Sequence, residues 1–217
     1  MEKEMKKNSL KDRGDIRRMH KKLRAGMTPE EVSKKSLGIC EKLQVTPWYQ
    51  NCQVIYGYYP LGNEVDCLPF LEKALADGKR VALPRMLAAD TPSNVRHGNE
   101  KTMSASGEVD NNCRMDFYEI TSLEQVAEGG FHVMEPLDAC PLVAVEEAVV
   151  LVPGVVFDRM GNRYGYGKGY YDRYFVRFPK LQRIALAYEN QMEPELEVLA
   201  TDVKMNFICT EETLYCI

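Results

Sequence analysis

The chain has 217 residues, 45% of them apolar and 28% charged, with 28 Lys and Arg against 32 Asp and Glu. This is globular composition in a chain long enough to bury its own core, which excludes a disordered tail and a disulfide-stapled miniprotein. The net charge of −4 is unevenly placed: residues 1–24 hold ten basic against four acidic residues, so a local +6 faces −10 over the remainder. That balance argues against a chain-wide nucleic-acid binder and leaves room for one anion site near the N-terminus.

Seven cysteines (40, 52, 67, 113, 140, 209 and 216) form no CxxC pair, and three histidines (His20, His97, His132) supply no zinc spacing. The longest apolar run, Ala148–Phe157, is ten residues long and is broken by Pro153 and Gly154, too short to cross a bilayer. The basic start is not followed by an apolar h-region of the kind a secretory signal carries. These features predict a reduced, cytoplasmic protein with no membrane partner.

In chain order, the spacing predicts a helix over residues 12–25 with a mostly basic face. A second follows Thr28-Pro29-Glu30-Glu31, with Thr28 as N-cap, Pro29 at the first helical position and Glu31 closing a capping box. Gln53–Tyr59 is rich in β-formers and runs into a Pro60-Leu61-Gly62-Asn63 turn. Residues 66–77 return to helical spacing, and Arg80–Leu83 reads as a short buried strand stopped by Pro84. This β-α-β order predicts a parallel sheet. Residues 87–112 carry no usable period and read as a long loop or insertion. Strands are expected at Met115–Ile120, at Ala148–Val152 (continuously apolar, as a strand buried on both faces should be) and near 183–187 and 206–210, with a helix at Tyr170–Phe178. With no repeat and no linker, residues 1–217 are expected to form one α/β domain, opened by a helical pair over residues 1–45.

The segment richest in chemistry runs from Pro153 to Arg173 and contains Gly165-Tyr166-Gly167-Lys168-Gly169 between a buried strand and a helix. Alternating glycines let backbone N–H groups turn toward one point, and the helix start adds partial positive charge, which together make a phosphate cradle with Lys168 as a mobile cation. A Walker A loop would need Gly at Asn162 and Ser or Thr at Gly169; a dinucleotide fingerprint would need Gly at Tyr170. The cradle is therefore of another kind, or the segment is a flexible hairpin connection. Asp172, in the first helical turn, is either a dipole-complementing residue or, beside a polyphosphate, a Mg²⁺ ligand. Asp202 could join it as a second ligand, or sit as a surface turn acid.

The segment Gly161-Asn162-Arg163-Tyr164-Gly165-Tyr166-Gly167-Lys168-Gly169-Tyr170-Tyr171-Asp172 closely resembles the signature of the 5-formyltetrahydrofolate cyclo-ligases, also called methenyltetrahydrofolate synthetases. Residues 22–31, Tyr58–Val65, Leu83–Met86, Glu135-Pro136 and residues 187–203 are similar in order, so the resemblance covers most of the chain. It implies a three-layer α/β sandwich with a mainly parallel sheet, similar to sugar-phosphate isomerase and CoA-transferase folds. It also implies a monomeric enzyme that takes a reduced folate and ATP, with Mg²⁺ and no nucleic acid. ATP would phosphorylate the formyl oxygen of 5-formyltetrahydrofolate, N10 would attack the activated carbon, and phosphate would leave to give 5,10-methenyltetrahydrofolate.

The resemblance also implies roles. Arg13 and Arg17 match the nucleotide-binding pair, although the first is commonly lysine, so Lys11 could share that role; without the resemblance this helix reads as a solvated face. Arg163, Tyr164, Gly165, Tyr166, Gly167, Lys168, Gly169, Tyr170 and Tyr171 would wrap the phosphates. Asp172 and Asp202 would hold Mg²⁺. Glu64 would orient the formyl-pterin end, with Lys168 and Tyr170 beside it in catalysis. Tyr59, Phe131, Tyr166 and Tyr170, with Gly167, Lys168 and Gly169, would line the folate site. Two other readings compete: a phosphosugar isomerase, which would leave Arg13 and Arg17 idle, and a non-catalytic anion- or RNA-binding module, which would bind with steep salt dependence.

Overall fold

A computed structural model describes residues 12–87 and 114–217. Lys11, His97, Cys113 and all but the first residue of the expected 87–112 loop lie outside the described residues.

The N-terminal pair forms as expected, α1 over Arg13–Ala25 and α2 over Pro29–Gln44. The capping box at the start of α2 is complete: Glu31 N donates to Thr28 Oγ1 at 3.2 Å and Thr28 N donates to Glu31 Oε2 at 2.8 Å. A short α3 (Pro47–Asn51), absent from the expectation, uses the same Thr-Pro device, with Thr46 as its cap. The remaining helices are α4 (Leu68–Ala76) and α5 (Tyr170–Arg177).

The strands are β1 (Val54–Tyr56), β2 (Arg80–Leu87), β3 (Arg114–Ile120), β4 (Val126–Glu128), β5 (Met134–Pro136), β6 (Leu142–Val143), β7 (Val149–Val152), β8 (Val156–Asp158), β9 (Arg163–Tyr164), β10 (Gln182–Leu186), β11 (Met192–Glu193), β12 (Phe207–Cys209) and β13 (Leu214–Cys216). Eight of them make one sheet in the order β13-β12-β10-β7-β1-β2-β3-β6. The five central strands are parallel, while β13, β3 and β6 run antiparallel at the flanks. The sheet is therefore mixed, with a parallel centre. β7 sits between β1 and β10 with all four residues buried, which its unbroken apolar run requires.

Period-2 alternation sorts the central side chains onto two faces. Ile55, Val81, Val149, Leu151 and Ile184 pack with Ile39 and Leu43 of α2 and Phe70 and Leu71 of α4. Tyr56, Ala82, Val150, Val152 and Ala185 pack with Tyr174 and Phe175 of α5. Helices thus cover both faces.

Two strand boundaries differ from expectation. The Gln53–Tyr59 run keeps strand geometry only over β1, after which Gly57 N still donates to Ala82 O at 2.8 Å. β2 continues through Pro84 to Leu87, where a stop was expected. Ala82 O faces β1, so alternation turns the Pro84 nitrogen to the same side. The register there ends at Tyr56–Ala82, so the missing donor is not needed.

A smaller sheet, β11-β8-β9, stands beside the main one and was not foreseen. Its β8–β9 turn is fixed by the fully buried Asp158, whose carboxylate accepts from Met160 N, Asn162 N, Asn162 Nδ2 and Leu196 N at 2.8–2.9 Å. Ile16 of α1 packs against Val155, Val156, Tyr164 and Leu196 here. This contact lays α1 beside the glycine segment.

Candidate active site

The α1 stripe Arg13, Arg17, His20 and Arg24 repeats at steps of four, three and four, so all four residues lie on one helix face. That face turns inward; His20 and Arg24 are buried. His20 is held at both ring nitrogens, 3.1 Å from Asn190 O and 2.8 Å from Glu193 Oε1. The guanidiniums of Arg13 and Arg17 lie over the Tyr164 ring, at 4.3 and 5.1 Å from its centroid. Arg17 Nε donates to Gly165 O at 2.9 Å. Burial, and next the charge of Arg13, lower the Arg17 pKa, while Tyr164, Asp202 and Asp12 pull it back up.

The glycine loop begins where β9 ends and closes on the start of α5. Gly167 and Gly169 have φ of +97° and +66°, backbone that L side chains rarely adopt, so glycine is required at both. Tyr166 and Lys168 are exposed on the loop, and Arg173 Nη2 donates to Lys168 O at 2.7 Å. Tyr170, partly buried, carries the Arg173 guanidinium over its ring.

Two residues expected to wrap phosphates are placed otherwise. The Tyr164 ring is buried, and its hydroxyl donates to Glu197 O at 2.8 Å; it is the platform beneath Arg13 and Arg17. Arg163 is also buried and turned inward, with Nη2 3.1 Å from Asp172 Oδ2 and its guanidinium over the Tyr171 ring. Alternation puts these two neighbours on opposite faces of β9, and both faces are covered, that of Tyr164 by Val155, Val156, Leu196 and Ile16 and that of Arg163 by Asp172 and Tyr171.

Asp172 and Asp202 come to one corner: Asp172 Oδ1 accepts from Val203 N at 3.2 Å. Each is already matched with an arginine, Asp172 with Arg163 at 3.1 Å and Asp202 with Arg13 at 2.9 Å. Arg13 Nε and Nη1 and Arg163 Nε are buried donors with no hydrogen-bond partner. The unspent donors of Arg13 lie beside the part-exposed Asp202, whereas Arg163 is enclosed. The two carboxylates are hard oxygen donors that would suit a Mg²⁺ taking its other ligands from a bound phosphate. Among the described residues, no group of three or more His, Cys, Asp or Glu could hold a metal by itself.

Glu64 occupies the other end of the site, in the turn after β1, and is 5% exposed. Its Oε2 accepts from Leu61 N at 3.0 Å and its Oε1 from the Tyr166 hydroxyl at 2.7 Å, with Arg24 Nη1 at 3.7 Å. Burial raises its pKa, while Arg24, Tyr166 and the Leu61 amide pull it down. Tyr59 is partly buried against the core. Phe131 lies in a short 3-10 turn, Gly130–His132, and its side chain is outside the described residues. Sequence reasoning passed over Arg24 and Asn63, whose Nδ2 donates to Arg24 O and Met27 O and ties the Glu64 turn to α1. The helical spacing of Arg24 with Arg13 and Arg17 was the available signal.

Fold and site together define an α/β protein that offers a cationic helix and a glycine loop to an anionic ligand, with a buried carboxylate alongside. The model of the 5-formyltetrahydrofolate cyclo-ligase family matches residues 9–211, and the chain belongs to that family. It is 28% identical to the 5-formyltetrahydrofolate cyclo-ligase of Mus musculus, covering 95% of this chain and 96% of the mouse protein. It is 26% identical to a probable 5-formyltetrahydrofolate cyclo-ligase of Caenorhabditis elegans, covering 92% of each. Among solved structures, the 5,10-methenyltetrahydrofolate synthetase of Aquifex aeolicus superposes with a TM-score of 0.75 at 25% identity, over 94% of this chain and 92% of that one.

Proposed function

We propose that this chain carries out the reaction of its family, the ATP-dependent cyclisation of 5-formyltetrahydrofolate to 5,10-methenyltetrahydrofolate, with the phosphates at the α1–glycine-loop corner and the formyl-pterin end at Glu64. The observation that carries the reading is that the glycine loop touches both groups, Arg17 of the cationic helix donating to Gly165 O and the Tyr166 hydroxyl donating to the buried Glu64.

The formyl oxygen is a poor leaving group, so coupling to ATP is chemically required. The formyl oxygen attacks the γ-phosphorus and ADP leaves; N10 then bonds to the carbon, the carbon–oxygen bond breaks with phosphate carrying the oxygen away, and the N10 proton is lost to solvent. No nucleophilic side chain is called for; positioning and positive charge are. The backbone N–H groups around Gly167 and Gly169 and the Lys168 amine face the charge that develops on the transferring phosphoryl group. Arg13 and Arg17 grip the nucleotide. Glu64 accepts hydrogen bonds from the N–H groups of the reduced pterin and fixes the formyl group toward Lys168, while Tyr166, Tyr170 and Tyr59 give the rings aromatic surface.

Asp172 and Asp202 would hold Mg²⁺ on the phosphates, where the ion neutralises their charge when bound. Helices on both faces of the sheet support the likeness to sugar-phosphate isomerases and CoA transferases, with residues 1–217 as one domain. The reading as cytoplasmic rests on composition, and the reading as a monomer on the resemblance. Among the described residues no helix is long and apolar enough to cross a membrane, and the Arabidopsis thaliana relative is named as mitochondrial.

An absorbance time course with 5-formyltetrahydrofolate and Mg-ATP tests the reading. Growth of the methenyl band that needs ATP is the expected result. No band from folded protein would hand the glycine loop to another phosphate ligand and revive the isomerase reading.

A further inference from the structure

We infer that Arg24 is a positioning residue for the folate end of the site, acting through Glu64 by holding its carboxylate ionised and aimed. The inference rests on the reading of Glu64 as the pterin acceptor.

Arg24 extends from the last turn of α1 into the space between the glycine loop and the Glu64 turn. Its side chain is 9% exposed and that of Glu64 5%. Nη1 donates to Gly154 O at 3.0 Å and lies 3.7 Å from Glu64 Oε1, and Nη2 donates to the Tyr166 hydroxyl, which in turn donates to the same Oε1. The carboxylate is thereby reached twice, once directly and once through Tyr166. With Leu61 N on Oε2, both oxygens are fixed in direction. Gly154 O also accepts from Gln191 Nε2 at 3.0 Å, so the anchor for Arg24 is itself held.

Among the described residues, the other titratable groups facing Glu64 are Tyr58, Cys67, Tyr166, Tyr171 and Tyr188, the last donating its hydroxyl to Glu64 O at 3.1 Å. Burial pushes all five up, so none is charged near neutral pH. Lys21 sits on the outer side, its amine 4.5 Å from the Tyr166 ring centroid. Arg24 is therefore the buried cation that answers Glu64. Without it, a carboxylate shut away from water takes up a proton, and a protonated Glu64 no longer offers the pterin N–H groups a charged acceptor.

The test is a double-mutant cycle of Arg24→Met and Glu64→Gln, read as kcat/KM for 5-formyltetrahydrofolate across pH at saturating ATP. Arg24→Met should lower that value about tenfold or more near neutral pH, with recovery as the pH rises, because once the Glu64 pKa has passed the assay pH each further unit is a tenfold loss of the ionised form. KM for ATP should stay where it is. Arg24→Lys should restore most of the loss and return the acid limb toward that of the parent. In the Glu64→Gln background Arg24→Met should add less than about twofold, since the charge it answers is gone. If Arg24→Met does not melt cooperatively, Arg24→Gln takes its place in the same cycle. A loss equal at every pH, or undiminished in the Glu64→Gln background, would overturn the role of Arg24 while leaving Glu64 intact. An unchanged folate kcat/KM in Glu64→Gln alone would bring down the assignment of Glu64, and the inference with it.

Discussion

The two ends of the site hold their carboxylates in different ways. At the end proposed for the nucleotide, Asp172 and Asp202 are each about a fifth exposed and each face an arginine, Asp172 the buried Arg163 and Asp202 the part-exposed Arg13, and buried guanidinium donors remain unspent. At the end proposed for the folate Glu64 is sealed, with one cation and a tyrosine on it. Pairs open to solvent contribute about 0–1 kcal/mol each and can exchange partners cheaply. Removing one member of a buried pair typically costs about 3–5 kcal/mol, because the remaining charge has nowhere to go. On the proposed reading, the part-exposed Arg13–Asp202 pair trades partners with a ligand that brings its own charge, and the sealed Glu64 keeps a fixed acceptor for a ligand that brings N–H groups.

The sharpest way to break this contrast is at Lys168, which belongs to the phosphate side and sits exposed on the loop. Lys168→Ala should cut kcat about a hundredfold to a thousandfold with melting unchanged, as loss of a group that meets transition-state charge does; an unaltered single-turnover rate would remove the lysine from the chemistry. Next in size, Asp172→Ala should raise the Mg²⁺ concentration for half-maximal rate about tenfold, and it should also lower the melting temperature, because it leaves the buried Arg163 guanidinium without its partner. A titration curve that does not move would limit Asp172 to orienting Arg163. Arg17→Ala should raise KM for ATP several-fold, up to about tenfold, the worth of one charge-assisted contact, and leave KM for the folate alone; equal changes in both would mean that the ends are not separate.

The smallest effect concerns stability at Glu64. Its folded pKa is raised by burial, so between the ordinary carboxylate value and the folded one the native state keeps a proton that the unfolded chain has lost. Stability therefore falls as pH rises through that window. Melting temperatures of the parent and of Glu64→Gln should converge toward the acid side of it and separate above. Parallel curves would show that Glu64 ionises in the folded chain as readily as in the unfolded one.

Local signals read well from the sequence because their causes are local. The Thr28–Glu31 capping box, the buried β7 run and the glycines before α5 each depend on neighbours a few positions away. Boundaries set by tertiary partners did not read as well: β2 passes Pro84 because β1 has already ended, and no window of sequence contains that fact. In the site, the resemblance singled out a segment but carried no direction for each side chain. Arg163 and Tyr164 lie on opposite faces of β9 and both are buried, which only the packing around β8, β9 and β11 reveals. Arg24 went unnoticed because a basic helix face looks solvated until the element that covers it is known.

The placement of α1 has a consequence for synthesis. Apart from the turn around Asn63, the polar partners of its inward face lie 130 to 189 residues downstream, at Gly154, Gly165, Asn190, Glu193 and Asp202. β1 likewise gains one of its two neighbours, β7, only when residues 149–152 have been made. A nascent chain emerging N-terminus first therefore carries the inward face of this basic helix without most of its polar partners until residues 154–202 have been translated.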